Sequence, residues 1–260
     1  MYKNLIFSVE NNIAILTINR PEVRNAISLG TVEEINAVLD SIEKDQSIRV
    51  LIVTGSGDRA FVSGGDLKEF EQLVTIEDGR RMSFLIKNTL NRLENLEIPV
   101  IAAINGVAYG GGSEVALACD YRIAADSAKL GLLQVKLAIM TSWGGGPRLA
   151  RLIGRSKALA LLTTGDILKA EQALEMGIVD QVVEPAELLD AAKDLAGRMA
   201  ANSPLAVRYA KLLLNDQREM SFQGALNYES ELFSVVWASE DHTEAVNALK
   251  EKRKPNFKGR

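Results

Sequence analysis

Asn105 to Glu114 reads N-G-V-A-Y-G-G-G-S-E, with three consecutive glycines between an apolar run, Val100 to Ile104, and a helix-like segment, Val115 to Cys119. Glycines at a strand-to-helix junction let the backbone approach a ligand closely, with amide N–H groups pointing outward. A helix that begins there adds the positive end of its dipole. Such a corner suits an anion, or an oxygen that gains negative charge during a reaction. Glu114, one turn in, is placed to exchange protons with whatever the amides hold. The plainer reading is a turn followed by an acid that complements the helix dipole. The stretch alone leaves both open.

A second corner of the same kind stands upstream, F-V-S-G-G-D-L-K at Phe61 to Lys68. It follows Val50 to Val53, a short apolar strand, and precedes a long amphipathic segment, Arg80 to Leu96. Before that strand, a helix starting near Ser28 or Thr31 carries Val32, Ile35, Leu39 and Ile42 at helical spacing. Leu5 to Val9 and Ile13 to Ile18 are strand-like and parted by Glu10-Asn11-Asn12, a hairpin signal. This strand–helix–strand order predicts an α/β fold with a parallel sheet covered on both faces. Ligands of such sheets bind beyond the carboxyl ends of the strands. Two glycine corners there converge on one ligand atom, which says more than either corner alone.

Downstream, Tyr121 to Ala124 and Lys129 to Leu133 read as short strands, followed by Gln134. Ser142-Trp143-Gly144-Gly145-Gly146-Pro147 precedes a helix at Arg148 to Ile153, and Ile178 to Val183 is apolar enough for a strand. From Pro185 onward the chain is almost wholly helical. The reading divides it into a core with the site, residues 1–195, and a helical C-terminal region, residues 196–260.

Composition removes several classes. Of the 260 residues, 47% are apolar and 25% charged, as in an ordinary globular protein with a substantial core. A net charge of −4 gives no footprint for nucleic acid, so an anionic ligand must meet local lysines and arginines. No apolar run approaches membrane-spanning length. The N-terminus lacks the features of a secretion signal, and a cytoplasmic location is expected. Cys119 is the only cysteine, which rules out an internal disulfide and weakens a thiolate metal cage. The only histidine, His242, sits among Glu240, Asp241 and Glu244 and reads as a surface residue. No metal site is expected.

Four motifs in order, R-P-E-V-R-N-A-I at Arg20 to Ile27, the two glycine corners, and K-R-K-P-N-F at Lys252 to Phe257, carry a family resemblance. The chain resembles the crotonase, or enoyl-CoA hydratase/isomerase, superfamily over nearly its whole length. The resemblance implies a spiral of repeated ββα units with a C-terminal helical region for oligomerisation and pocket closure. It also implies a homotrimer or a dimer of trimers. The implied substrate is an acyl-CoA thioester, with coenzyme A part of the substrate and no separate cofactor. Its carbonyl oxygen would accept the N–H groups of Gly65 and Gly111 as an enolate forms, with Glu114 as proton donor and acceptor. Substrate contacts map onto Arg24, Ala26, Asp66, Leu67 and Lys68, with the basic tail of a neighbouring subunit a further candidate. Arg24 and Lys68 are equally the exposed cations that any soluble surface carries.

The chain departs from the pattern at Gln134, where hydratases of the family carry a second glutamate. A neutral amide positions water but cannot take its proton. Decarboxylation of an alkylmalonyl-CoA needs less proton traffic, because loss of carbon dioxide leaves the enolate directly. The Ser142 to Gly145 stretch, the surroundings of Asn88 to Leu90, and Glu231 to Trp237 resemble ethylmalonyl-CoA decarboxylases. Decarboxylation is therefore the leading expectation and hydration with unusual proton handling its alternative. Trp143 either walls the acyl pocket or packs at a turn. A non-catalytic acyl-CoA-binding or RNA-associated protein is a further reading, opposed by the intact Glu114 and the acidic balance.

Overall fold

The computed structural model describes residues 2–260. Strands β1 (Leu5–Glu10) and β2 (Ile13–Ile18) form the expected antiparallel hairpin. Asn11 and Asn12 turn it at positive φ, a conformation asparagine tolerates well. Helix α1 (Leu29–Lys44) starts at Ser28, whose Oγ accepts the Thr31 N–H at 3.1 Å. It buries Val32, Ile35, Leu39 and Ile42, the stripe its spacing predicts.

Three units then repeat. Strand β3 (Val50–Gly55) is followed by β4 (Ala60–Val62) and helices α2 (Leu67–Phe70) and α3 (Ile76–Glu94). Strand β5 (Val100–Ile104) is followed by β6 (Val107–Tyr109) and α4 (Gly111–Leu117). Strand β7 (Tyr121–Ala125) is followed by β8 (Lys129–Gly131), α5 (Gly145–Ile153) and α6 (Arg155–Thr164). Strand β9 (Leu168–Lys169), α7 (Ala170–Glu175) and β10 (Gln181–Val183) close the core. Each unit gives its first strand to a six-stranded sheet, β1-β2-β3-β5-β7-β10, and its second to a four-stranded sheet, β4-β6-β8-β9. This stepping is the spiral of ββα units that the resemblance implies.

In the large sheet every pairing except β1–β2 is parallel. Val50 to Val53 and Val100 to Ile104 are buried without alternation, because both faces of the sheet are covered. Helix α8 (Leu188–Ala200) lies across β2, β3, β5 and β7 with Ala192 and Ala196 fully buried. The expected division after residue 195 falls inside this helix. Beyond it come α9 (Pro204–Asp216), α10 (Phe222–Trp237) and α11 (Glu240–Glu251). Lys211 ties α9 to the core, donating to Asp120 Oδ2 at 2.7 Å and the Ile98 carbonyl at 2.9 Å. Helix α10 buries none of its residues, although it carries Phe222, Leu226, Phe233, Val235 and Trp237. The tail is docked rather than free. Arg253 pairs with Glu244, Arg49 donates to the Phe257 carbonyl, and Asp241 accepts the Lys258 and Gly259 amides.

Several boundaries differ from the sequence reading. The strands that lead directly into the glycine corners are β4 and β6, not Val50 to Val53 and Val100 to Ile104. Three-residue strands are too short to show a period. Helix α4 begins at Gly111 itself. Strand β8 stops at Gly131, and Leu133–Leu137 forms a 3-10 turn that buries Gln134. No helix is long and apolar enough to cross a membrane among the described residues.

Candidate active site

Strands β4 and β6 run side by side in parallel, Ala60 opposite Val107 and Val62 opposite Ala108. Their exits, Ser63-Gly64-Gly65 and Gly110-Gly111-Gly112, therefore lie against each other. A methyl group on Gly64 would stand 3.8 Å from the Gly111 nitrogen, and one on Gly112 would overlap the Val62 carbonyl oxygen. Ile27 donates to the Gly64 carbonyl, and Asp66 donates to the Ile27 carbonyl, both at 2.8 Å. The Gly65 amide between them donates to no group among the described residues. Gly111 is the first residue of α4, where helix geometry leaves the N–H without an internal acceptor. Behind these amides sit aromatic rings. A side chain on Gly65 would strike Phe70, and one on Gly111 would overlap the Trp143 indole.

Glu114 is 2% exposed. Its Oε1 accepts the Trp143 N–H at 2.9 Å and the Gly145 N–H at 2.8 Å, while Oε2 accepts Nε2 of Gln134 at 2.8 Å. Any residue larger than glycine at 145 would press on the Glu114 side chain. Burial pushes the Glu114 carboxyl above its ordinary range; the Gly145, Trp143 and Gln134 donors pull the other way without cancelling it. A carboxylate so placed is a stronger base than an exposed one. Gln134 lies over Gly110, and its Oε1 is buried with no partner among the described residues.

A charged platform carries this pocket from below. Arg148 donates from Nη1 to the Trp143 carbonyl at 3.0 Å, from Nη2 to Asn91 at 2.7 Å, and from Nε to Glu94 at 2.9 Å. Arg218 reaches the other Glu94 oxygen at 2.6 Å. Glu94 is thus a structural anion, and Glu77 is an exposed partner of Arg80 and Arg81. Burial also raises the Cys119 thiol, to about 12, which removes it as a nucleophile.

The structure brings Gly65, Gly111, Glu114, Gln134 and Trp143 into one cluster. The Trp143 ring packs on Gly111, and its amide, in neither of the readings considered for it, holds Glu114. The remaining expected residues flank the Gly65 corner. Asp66 pairs with Arg20 at 2.8 Å, and the buried Ala26 gives its carbonyl to the same arginine at 2.6 Å. Arg24, whose carbonyl accepts the Ser63 N–H, is exposed, as are Leu67 and Lys68. Sequence reasoning missed the Trp143 and Gly145 amides, Phe70 and the Arg148–Glu94–Arg218 platform. The run W-G-G-G was the one available sign of the amide clamp.

The family model described as enoyl-CoA hydratase/isomerase matches residues 8–260. The chain belongs to the enoyl-CoA hydratase/isomerase family. It is 42% identical to a short-chain-enoyl-CoA hydratase of Clostridium acetobutylicum, over 99% of this chain and 98% of that one. It is 40% identical to a crotonyl-CoA hydratase of Syntrophomonas wolfei, over 98% of each. The crystal structure of an enoyl-CoA hydratase from Bacillus anthracis matches with a TM-score of 0.96 and 39% identity, covering 99% of this chain and 100% of that one. This hydratase/isomerase family member is accordingly an acyl-CoA enzyme. The preference for decarboxylation drawn from Gln134 has no support among these relatives, whose names are those of hydratases.

Proposed function

We propose that the protein adds water to short 2-enoyl-CoA thioesters in the cytoplasm. The observation that carries this reading is Glu114: a buried carboxylate of raised affinity for protons, clamped by neutral donors beside two undonated amides. In the proposed reaction the thioester oxygen accepts the Gly65 and Gly111 N–H groups. Addition of water at the β-carbon pushes negative charge onto that oxygen, where each amide is worth about 3 kcal/mol of barrier. Glu114 handles the proton. Coenzyme A comes with the substrate, and the chemistry calls on no other cofactor. Arg24 and Lys68, exposed beside the Gly65 corner, are the proposed phosphate contacts, with Ala26, Asp66 and Leu67 shaping that rim.

The names of the relatives support a short acyl chain. The pocket itself argues against an alkylmalonyl substrate. A malonyl carboxylate only accepts hydrogen bonds, and beside the buried Glu114 it would stand as a second anion. Water instead brings a donor that the Glu114 carboxylate accepts.

The uncovered apolar residues of α10 support assembly into a trimer or a dimer of trimers, with residues 196–260 closing the pocket. Sedimentation velocity on the full chain tests the assembly, and a lone monomer at micromolar concentration would count against it. The activity is tested with crotonyl-CoA, methylmalonyl-CoA and ethylmalonyl-CoA. Hydration of crotonyl-CoA is expected above about 1 per second. Release of carbon dioxide from ethylmalonyl-CoA, without hydration of crotonyl-CoA, would replace this reading with decarboxylation.

A further inference from the structure

We infer that Arg20 is a positioning residue of this site: its guanidinium braces the Gly65 corner, so that the Gly65 N–H keeps its aim at the thioester oxygen. The inference rests on the reading above, in which Gly65 and Gly111 are the two donors to that oxygen.

The two donors are held by unequal means. Gly111 opens α4, whose residues are all buried, and helix geometry directs its N–H. Gly65 lies in no helix and no strand; it forms a single parallel bridge with Ile27, and the helix that follows, α2, has four residues. Across that bridge the Ile27 N–H donates to the Gly64 carbonyl, and the Asp66 N–H to the Ile27 carbonyl, both at 2.8 Å. The Gly64 carbonyl and the Gly65 N–H are opposite ends of one planar trans peptide group. The bond that draws the carbonyl toward Ile27 therefore points the N–H away from it. The aim of this donor depends on residues 24–27 staying in register with residues 63–66.

Arg20 supplies that register from the side. Nη1 donates to the Ala26 carbonyl at 2.6 Å and Nη2 to Asp66 Oδ2 at 2.8 Å. One rigid fork thus joins the residue before Ile27 to the residue after Gly65. The ion pair is largely buried, with side-chain exposures of 16% and 14%. Burial opposes the charge on Asp66, but Arg20 overcomes it and holds the carboxyl below its ordinary range. The base of the fork is fixed as well. Asn25, fully buried, accepts the Arg20 N–H at 3.0 Å and donates to the Ser56 and Ala60 carbonyls, the second at the start of β4. Without the guanidinium, Asp66 keeps a charge with no cation beside it, is drawn toward solvent, and takes the Gly65 peptide with it.

The test reads the donor directly. Hydrogen bonds to a thioester oxygen lower its carbonyl stretch, so infrared difference spectra of bound butyryl-CoA, labelled with carbon-13 at the carbonyl, report both amides. Arg20→Met is compared with Asp180→Ala, which breaks an ion pair of the same kind, Arg122–Asp180, away from the glycine corners. In Arg20→Met the lowering of the stretch is expected to shrink to about half of the parent's, one donor of two being misaimed. Its kcat with crotonyl-CoA should fall about 30-fold, while the Kd for butyryl-CoA changes by less than about threefold. Asp180→Ala should keep the parent's kcat and the parent's band. Should Arg20→Met not fold, Arg20→Lys, which keeps the charge but not the fork, takes its place. A full lowering of the stretch in the Arg20 variant overturns the inference, whatever happens to kcat. So does a loss of butyryl-CoA binding at unchanged kcat, which would make Arg20 a substrate contact. Equal losses of kcat in the Arg20 and Asp180 variants overturn it too, because they reduce the brace to general stability. A parent protein that shows the lowered band with butyryl-CoA but does not hydrate crotonyl-CoA removes the hydration reading and leaves the comparison of bands standing.

Discussion

Glu114 and Glu94 are the same residue type, each on a helix and each drawn in from solvent, yet their surroundings drive them in opposite directions. Glu114 meets three neutral donors and no cation in hydrogen-bond contact, so burial wins and the carboxyl holds its proton more tightly than usual. Burial opposes the charge on Glu94 too, but Arg148 and Arg218 outweigh it and hold the carboxyl below its ordinary range. One is poised to change state and the other is not. They are joined through Arg148, which grips Glu94 and also the Trp143 carbonyl, whose own amide holds Glu114. The fixed charge therefore steadies the frame that holds Glu114.

The comparison breaks most visibly at Glu114. Glu114→Gln keeps the side-chain shape and an oxygen for the Trp143 and Gly145 amides, but removes the exchangeable proton. Turnover of crotonyl-CoA should fall by about 1,000-fold, while butyryl-CoA binding holds. A variant that still turns over within tenfold of the parent removes Glu114 from the chemistry.

How much of this was legible beforehand depends on which atoms carry the information. The two glycine corners and Glu114 could be read because glycine and glutamate name their roles by side chain, or by its absence. The α1 stripe and the apolar β3 and β5 strands showed in the pattern for the same reason. Strands β4 and β6 did not, since three residues give no period. The clamp on Glu114 is built from the backbone N–H groups of Trp143 and Gly145, which any non-proline residue possesses, and only the run of glycines hinted at it. The Glu94–Arg148 pair spans 54 positions of sequence, so only the folded chain reveals it. Gln134 marked a departure by its identity. That its oxygen stands unpaired while its nitrogen is taken is visible only in three dimensions.

Removing the fixed charge should act more on stability than on chemistry. Glu94→Leu leaves Arg148 buried without its carboxylate, and breaking one side of such a pair costs about 3 kcal/mol, readable as a lower urea midpoint. The loosened Trp143 carbonyl should lower kcat by roughly tenfold through misplacement of Glu114. Replacing both Glu94 and Arg148 by methionine should restore much of the stability, since no charge is then stranded, but not kcat, since the Trp143 carbonyl remains untethered. Restored turnover in that double variant would sever the mechanical link between the two glutamates.

The smallest expected effect lies in how stability follows pH. The folded state raises the affinity of Glu114 for its proton, so its contribution is present below the unfolded carboxylate value and lost as pH rises through the folded one. The parent should therefore lose stability relative to Glu114→Gln as pH climbs from below 4.5 past that raised value. Glu94 has the opposite sign: its folded affinity is depressed, so its contribution is present above the unfolded value and fades as pH falls through the folded one. The deficit of Glu94→Leu should accordingly shrink in acid while the advantage of Glu114→Gln grows toward neutrality. Chemical denaturation of the three proteins between pH 3 and pH 8 would show curves that diverge in opposite senses. Parallel curves would mean that the two carboxyls titrate alike, and that the contrast between an exchanging and a fixed glutamate does not describe this protein.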